Sequence, residues 1–140
     1  MIPDDISDDD KVKYVLQHSR KILIIGMSRN DLKPSGYVPR YLKTAGYQVI
    51  PLNPFADEID GTKSLKSLGE LKEPVDIVDV FRPSEDIPQI TEELLRVPSL
   101  FNAVWLQEGI YSDSILKLRK IGKDIFWNRC MMKEHQRLIF

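Results

Sequence analysis

The sequence predicts an α/β fold with a parallel sheet, and three features of the chain support this prediction. Short apolar runs that suit strands buried on both faces alternate with segments of helical periodicity. Glycines and prolines separate the two kinds of segment. With 140 residues, 42% of them hydrophobic, and a net charge of −1, the composition is that of one globular domain spanning residues 1–140. We therefore expect a single Rossmann-like domain whose five parallel strands have helices on both faces.

The first strand, loop, helix and second strand form the clearest βαβ unit. An unbroken apolar run at residues 22–25 ends at Gly26, which permits a tight turn. A polar loop follows, a helix is predicted over residues 36–45, and a second strand over residues 48–52 leads into Asn53. In open α/β sheets the ligand binds where the strands end at their carboxyl edge. The residues that follow each strand are therefore the candidate site.

The rest of the chain continues the alternation. Three further strands are predicted at residues 75–81, 103–106 and 124–127. Further helices are predicted at residues 9–18, 62–71, from 83 onward, 112–121, and 131–140, the last as a helix or a turn. Alternating strands and helices form parallel sheets with right-handed crossovers. For the five strands in chain order we predict the sheet order 3-2-1-4-5.

Charge and cysteine content limit the classes of partner and the location. With 20 basic and 21 acidic residues and no basic block, the chain shows no sign of a nucleic-acid or membrane surface. Its one cysteine cannot form an internal disulfide, which fits a reducing compartment. The first ten residues lack the apolar core of a signal peptide, and no apolar run approaches membrane-spanning length. We expect a soluble cytoplasmic protein that binds neither nucleic acid nor membrane.

The loop after the first strand departs from the common nucleotide-binding motifs. A dinucleotide fingerprint requires G-x-G-x-x-G, in which the second glycine lets the backbone approach a pyrophosphate. Only Gly26 is kept here, because Ser28 and Asp31 occupy the two later glycine positions. The phosphate-loop lysine motif is absent, and G-M-S-R-N lacks the last glycine of a nucleophile elbow. These departures disfavour ordinary NAD binding and a hydrolase.

Several segments, in order along the chain, carry a family resemblance. They read G-M-S-R-N, K-P-S-G-Y-V-P-R-Y-L and V-I-P-L-N-P in the first unit, then V-D-V-F-R-P-S at 78–84, W-L-Q-E-G-I at 105–110 and N-R-C-M-M-K-E-H at 128–135. With these segments the chain resembles the small stand-alone CoA-binding proteins, which are similar in turn to the N-terminal domain of the succinyl-CoA synthetase α subunit. The resemblance begins at about residue 12 and implies coenzyme A (CoA) as the ligand.

The first loop is the predicted phosphate site. Helix N-termini present unpaired N–H groups to anions, and hydroxyls and cations in the same loop strengthen that attraction. The alternative for the cations is that they are simply solvated. The predicted CoA-binding residues of this loop are Gly26, Met27, Ser28, Arg29, Lys33, Ser35 and Gly36, with Arg40 as a further candidate cation.

The second loop, Asn53-Pro54-Phe55, is predicted to bind the adenosine end of CoA. In NAD proteins an acid near the end of this strand binds the ribose hydroxyls, and Asn53 takes its place here. A neutral residue suits CoA, because a carboxylate would repel the ribose 3′-phosphate. Pro54 and Phe55 offer an apolar wall for adenine, although Phe55 fits an ordinary core aromatic equally well. The nearby carboxylates of Asp57 and Glu58 count against this argument.

Two further loops are expected at the same edge of the sheet. By the resemblance, they line the pantetheine arm and the pyrophosphate. Their predicted binding residues are Phe81, Arg82 and Pro83 after the third strand, and Gln107, Glu108 and Gly109 after the fourth. We favour Arg82 most, because a cation directly after a buried strand rarely serves core packing. Glu108 has no partner carboxylate or histidine at a clear spacing, so no catalytic residue is assigned.

Cys130 allows two interpretations. A lone cysteine is most often a small buried hydrophobe. Alternatively, it lies beside Arg129 and before a predicted helix or turn, surroundings in which reactive thiols occur, and the match of N-R-C-M-M to the family suggests a mixed disulfide with CoA under oxidation. Two histidines and one cysteine give no spacing typical of a metal site.

We interpret the chain as a non-catalytic protein that binds CoA or an acyl-CoA and carries or senses it. The alternatives are an NAD(P)-linked reductase, a non-catalytic subunit of an acyl-CoA ligase, and a protein-interaction module whose nucleotide site signals cofactor status. The degenerate glycine pattern disfavours the reductase. The catalytic and nucleotide-grasp domains of full ligases are not matched, which disfavours a self-sufficient ligase. Association with a second copy or with a ligase partner is left open.

Overall fold

Five parallel strands form the main sheet in the computed structural model, which describes residues 1–139. Numbered in chain order, its strands are β1 (Lys21–Ile25), β2 (Gln48–Leu52), β5 (Ile77–Val80), β6 (Ala103–Leu106) and β7 (Asp124–Phe126). A separate antiparallel hairpin consists of β3 (Glu58–Ile59) and β4 (Thr62–Lys63). All five predicted strands are present, and only the third and fifth are shorter than predicted.

Helices cover both faces of the main sheet. They are α1 (Asp9–His18), α2 (Pro34–Thr44), α3 (Ile87–Leu95), α4 (Leu116–Lys120) and α5 (Met131–Leu138). Buried side chains of α1, α2 and α5 pack on one face, and those of α3 and α4 pack on the other. The predicted α/β fold class is therefore confirmed. The helix predicted at residues 131–140 is present, and its last predicted residue, Phe140, lies outside the described residues.

The side chains of strand β1 are buried on both faces of the sheet. Leu23 and Ile25 pack in the core formed with α3 and α4, whereas Ile22 and Ile24 pack in the core formed with α1, α2 and α5. Side chains of a strand point alternately to the two faces. Burying each such aliphatic side chain stabilises the fold by about 1.5–3 kcal/mol. The unbroken apolar run is thus explained by burial on both faces.

The predicted strand order 3-2-1-4-5 is wrong. The observed order is β2-β1-β5-β6-β7, so the third long strand pairs with β1, with Ile77 beside Ile22. The outer edge of β2 is already occupied, because Leu65 N donates to Pro51 O at 2.9 Å and Asn53 N donates to Leu65 O at 2.9 Å. The third long strand lies on the other side of β1, so the strand order reverses between β1 and β5. In doubly wound sheets this reversal marks the ligand crevice.

The helix predicted at residues 62–71 is also wrong. Residues 58–63 form the β3–β4 hairpin, and only a short 3-10 helix at Leu68–Glu70 follows. The hairpin turn contains Asp60 (φ 53°) and Gly61 (φ 79°), a pair that favours the left-handed conformation that tight hairpins require. Leu68 and Leu71 still pack in the core, so their spacing reflected burial rather than a helix.

The loop from β1 to α2 closes on itself through backbone bonds. Gly26 begins it with a φ of 87°, a conformation that other residues rarely adopt. Ser28 N donates to Ser35 O at 3.0 Å, and Lys33 N donates to Asn30 O at 3.2 Å. Helix α2 begins at Pro34, two residues earlier than predicted, since proline suits the first helical position. The loop is thus held in one compact turn directly before the helix.

Asp79 is the one carboxyl that the fold isolates in the described core. It lies on β5 between Ile24 and Trp105, its side chain is 0% exposed, and neither carboxyl oxygen has a hydrogen-bond partner among the described residues. Burial raises the pKa of this carboxyl well above its ordinary value. Burial therefore favours the protonated acid, because an isolated buried carboxylate is far more costly than a neutral acid.

We predict that Asp79→Asn stabilises the protein at pH 7.5 but much less at pH 5. The unfolded chain releases the Asp79 proton near its ordinary pKa of about 3.9, whereas the folded chain retains it. The folded state then binds more protons, so stability falls by about 1.4 kcal/mol per pH unit as pH rises from that value to the folded-state pKa. Urea unfolding across this pH range measures the slope, which the amide variant should lack.

Asp76→Asn is the matched control for Asp79. The Asp76 carboxylate accepts bonds from Arg20 N at 2.8 Å and Lys21 N at 2.9 Å, so its loss should lower stability. An equal stability difference between the Asp79 variant and the parent at every pH would show that Asp79 is ionised in the folded protein.

We further predict that Gly36→Ala destabilises the fold by about 1–3 kcal/mol, as overpacking does. A Cβ at Gly36 would lie 2.0 Å from Asn30 O, a backbone atom that moves only if the whole loop moves. This clash exceeds the gain of about 1 kcal/mol that alanine brings inside a helix. Gly69→Ala is the control, because its Cβ would meet nothing nearer than 3.7 Å. A Gly36 variant as stable as the parent in urea unfolding would contradict the packing.

Candidate functional site

A groove of about 610 Å³ opens at the carboxyl edge of the sheet, where β2, β1 and β5 end side by side. Its floor is apolar and consists of Ile25, Leu52, Leu68 and Ile90. The volume lies within the range of small-molecule sites, about 300–1,000 Å³. Ten of the predicted binding residues line this groove, namely Gly26, Met27, Ser28, Lys33, Ser35, Asn53, Pro54, Phe55, Phe81 and Arg82.

The loop between β1 and α2 forms one rim of the groove. It supplies the Ser28 and Ser35 side chains and the Lys33 ammonium group. In the part of the chain that the structure describes, the Ser35 amide has no hydrogen-bond partner, as is usual in the first turn of a helix. An amide, two hydroxyls and a cation on one rim form an arrangement suited to an anion.

Asn53 joins the two loops that border the groove. Its Nδ2 donates to Met27 O at 2.9 Å, and its Oδ1 accepts from Phe55 N at 2.8 Å. The Asn53 side chain therefore fixes the geometry of the rim as well as lining it. Phe55 is 94% exposed, which rules out the alternative of an ordinary core aromatic. Its ring is available to a flat ligand group at the mouth of the groove.

Helix α3 forms the opposite wall, and sequence reasoning missed its contribution. Asp86, Gln89, Ile90 and Glu93 line the groove at helical spacing i, i+3, i+4 and i+7. The spacing was available from the sequence, but the helix predicted from residue 83 onward was not included among the candidate site segments. Lys66, Ser67 and Leu68 were missed as well, because they lie in the segment interpreted as a helix.

Two arginines of the predicted phosphate loop serve the fold instead. Arg29 Nε and Nη2 donate to Glu58 O at 3.0 and 2.7 Å, which ties the loop to the β3–β4 hairpin. Arg40 donates to Ser28 O and Arg29 O and forms an ion pair with Asp60 at 2.8 Å. Neither arginine lines the groove, and neither is simply solvated.

The other predicted residues outside the groove occupy structural positions. Gly36 is buried against Asn30, and Pro83 precedes the turn that leads into α3. Gln107 Oε1 accepts from Met131 N at 3.3 Å, and Gly109 N donates to Asn128 Oδ1 at 2.7 Å. Glu108 forms an exposed ion pair with Lys133 at 3.1 Å. The loop at residues 107–109 therefore lies at the carboxyl edge of the sheet but does not line the groove.

Cys130 is buried at the start of α5, with 5% of its surface exposed. It packs in the core formed with α1, α2 and α5 and does not line the groove. This placement agrees with the interpretation of the thiol as a small buried hydrophobe. The mixed disulfide with CoA stays a prediction.

The groove contains cations and carboxylates in near balance. Lys33, Lys66 and Arg82 line it together with Asp86 and Glu93. Lys66 pairs with Asp57 at 2.8 Å, and this hydrogen bond lowers the pKa of the exposed Asp57 carboxyl. Arg82 pairs with Asp86 at 2.8 Å. Lys33 is the one groove cation for which the described residues provide no ion pair.

The described residues contain no cluster of three or more histidine, cysteine, aspartate or glutamate side chains arranged to hold a metal ion. Over the same residues, none of the helices has the length and apolar character needed to cross a membrane.

Comparisons with known proteins place this geometry in a family. The chain is 34% identical over 126 residues to the uncharacterized protein YneT of Bacillus subtilis, covering 89% of this chain and 92% of YneT. A Thermus thermophilus structure shares 38% identity at a TM-score of 0.87, covering 94% of this chain and 99% of that one. A hypothetical protein of Pyrococcus horikoshii shares 29% identity at a TM-score of 0.90, covering 100% and 98%.

A larger enzyme matches part of the chain. The ADP-forming acetate–CoA ligase of Methanocaldococcus jannaschii is 29% identical over 85 residues, which are 61% of this chain but only 12% of the ligase. The family model of the CoA binding domain matches residues 20–136. Since that match covers most of the sequence and agrees with the observed sheet and groove, the chain belongs to the CoA-binding domain family.

Proposed function

We propose that this protein binds CoA or an acyl-CoA in the groove and acts as a non-catalytic carrier or sensor. The observation that supports this best is the combination of three features in one groove of about 610 Å³. An exposed aromatic ring, a set of cations beside a helix N-terminus, and an apolar floor occur together. Adenine, phosphates and the pantetheine arm of CoA require these three kinds of surface.

Each part of CoA has a matching set of residues in this proposal. Phe55 stacks on the adenine ring, because its exposed face has no protein partner of its own in the described core. Lys33, Arg82 and the Ser35 amide hold phosphates. The pantetheine arm runs over the apolar floor. The groove therefore recognises CoA by several moderate contacts rather than by a glycine-rich loop.

The lining of the groove supports a role in binding without catalysis. Among the described residues that line it there is no histidine and no cysteine. Among the described residues, Ser28 Oγ accepts from Asn30 N at 3.0 Å, and neither serine hydroxyl forms a hydrogen bond to a carboxylate or a lysine that would activate it for nucleophilic attack. Asp86 is engaged with Arg82.

A second candidate is a non-catalytic subunit of an acyl-CoA ligase. The similarity to the acetate–CoA ligase favours it, since 85 residues, which are 61% of this chain, match 12% of that larger enzyme. Affinity purification from the native organism distinguishes the two candidates. Co-purification with ligase domains would favour the subunit, and recovery of the protein with bound CoA alone would favour the carrier.

We predict that CoA raises the melting temperature far more than NAD, NADP or ATP at equal concentration. A ligand at about one hundred times its dissociation constant stabilises the folded state by about 2.7 kcal/mol. For a chain of this size that corresponds to about 10 °C. Dephospho-CoA should fall between, because it lacks only the 3′-phosphate. A shift with NAD or NADP as large as that with CoA would favour the reductase and reject the proposal.

We also predict that Phe55→Ala weakens CoA binding by about tenfold or more, since stacking on one base contributes about 1–3 kcal/mol. Pantetheine has no adenine, so its affinity should not change. Leu32→Ala is the control, because Leu32 is 85% exposed on the neighbouring loop but does not line the groove. Calorimetric titration measures all three proteins. Equal losses for CoA and pantetheine would remove Phe55 from the adenine site.

A further inference from the structure

Arg82 is held by a carboxylate of the groove itself. Its Nε and Nη2 donate to Asp86 Oδ2 at 3.1 and 2.8 Å. Both side chains line the groove, with 51% of Arg82 and 40% of Asp86 exposed. The stem of Arg82 lies over Gly26, where a Cβ would come within 3.1 Å of Arg82 Cδ. The guanidinium group is thus fixed directly above the end of β1.

The Asp86 side chain is directed to Arg82 and the groove. Asp86 ends the 3-10 helix Ser84–Asp86, which leads directly into α3, and its own backbone is helical (φ −88°, ψ −12°). Its side chain makes no capping hydrogen bond to α3. The carboxylate instead accepts two bonds from Arg82, so Asp86 contributes an ion pair at the groove.

The ion pair has a consequence for any anion that enters the groove. A phosphate that binds Arg82 must either share the guanidinium group with the Asp86 carboxylate or displace that carboxylate. The negative charge of Asp86 also repels the phosphate. We propose that Asp86 competes with ligand phosphate for Arg82 and thereby lowers the affinity of the groove for phosphate-bearing ligands. This inference rests on the proposed function, and it identifies Asp86 as a residue that determines specificity. The affinity for a neutral ligand is neither increased by the charge of Arg82 nor decreased by the charge of Asp86.

Asp86→Asn tests the competition directly. An exposed ion pair contributes at most about 1 kcal/mol, so breaking this one should tighten CoA binding by more than about twofold and by at most about fivefold. Pantetheine, which carries no phosphate, should bind the variant as it binds the parent. Glu85→Gln is the matched control, because Glu85 is an exposed acid in the same turn that does not line the groove. It should change CoA affinity by less than about twofold, as expected for a screened surface charge.

A double-mutant cycle separates the ion pair from general electrostatics. The Arg82→Ala variant has no guanidinium group for which Asp86 and the phosphate could compete. Adding Asp86→Asn to it should therefore improve CoA binding no more than Glu85→Gln does. Circular dichroism and thermal melts of each variant establish that it is folded. An equal gain from Asp86→Asn with and without Arg82 would overturn the inference, and so would a loss of affinity in the single variant, because Asp86 would then be orienting Arg82 for the ligand.

Failure of the proposed function can be distinguished experimentally from failure of this inference about Asp86. If the parent protein binds no CoA, the proposed function fails, and inorganic pyrophosphate then serves as the probe of Arg82. The Arg82 Nε–H resonance in ¹⁵N-labelled protein should respond to pyrophosphate at a lower concentration in Asp86→Asn than in the parent. Identical responses, or none in either protein, would overturn the competition between Asp86 and phosphate.

Discussion

The groove depends on the pairing of β1 with a strand on each side. Gly26 N donates to Leu52 O at 2.9 Å and Phe81 N donates to Ile25 O at 2.9 Å, so β2, β1 and β5 end at one level. The apolar side chains of β1 fix this strand between two cores. Three loops therefore leave the sheet side by side, and the space between them is the groove. A shift of β1 would move all three loops together.

Polar contacts between the loops then keep that space open. Asn53 bridges to Met27, Arg29 bridges to Glu58, and Arg40 pairs with Asp60. These contacts satisfy backbone groups that loops leave exposed. They also divide the cations of this region into two sets. Arg29 and Arg40 hold the loops, whereas Lys33, Lys66 and Arg82 lie on the groove.

Most of the cations on the groove already have carboxylate partners. Two of its three cations are already paired with carboxylates, Lys66 with Asp57 and Arg82 with Asp86. In such a site a ligand phosphate replaces a protein carboxylate as the partner of each cation. The binding free energy gained from each such contact is therefore small. The choice between ligands then depends on how many contacts a ligand makes with the groove at the same time. This agrees with the proposed choice of CoA, which presents a base, several phosphates and a long arm, over ligands that present fewer of these.

The sequence by itself determined the α/β class and most element positions. The apolar run of β1 suits only a strand buried on both faces, and Gly26 marks its end. The residues directly after β1, β2 and β5 were identified as the candidate site for the same reason, because the ends of parallel strands meet at one edge. These inferences depend only on patterns of apolar residues and turn residues that lie close together in the sequence.

Only the tertiary structure decided the strand order, the wall formed by α3 and the roles of the arginines. Leu65, rather than the third long strand, lies along the outer edge of β2, and no local pattern encodes which segment takes that position. Arg29 and Arg82 look alike in sequence, each following a strand by a few residues. Their partners, Glu58 O and Asp86, differ because a hairpin lies beside one loop and a helix start beside the other. Whether an arginine lines the groove or holds the loops together is thus decided by the neighbours that the tertiary structure brings to it.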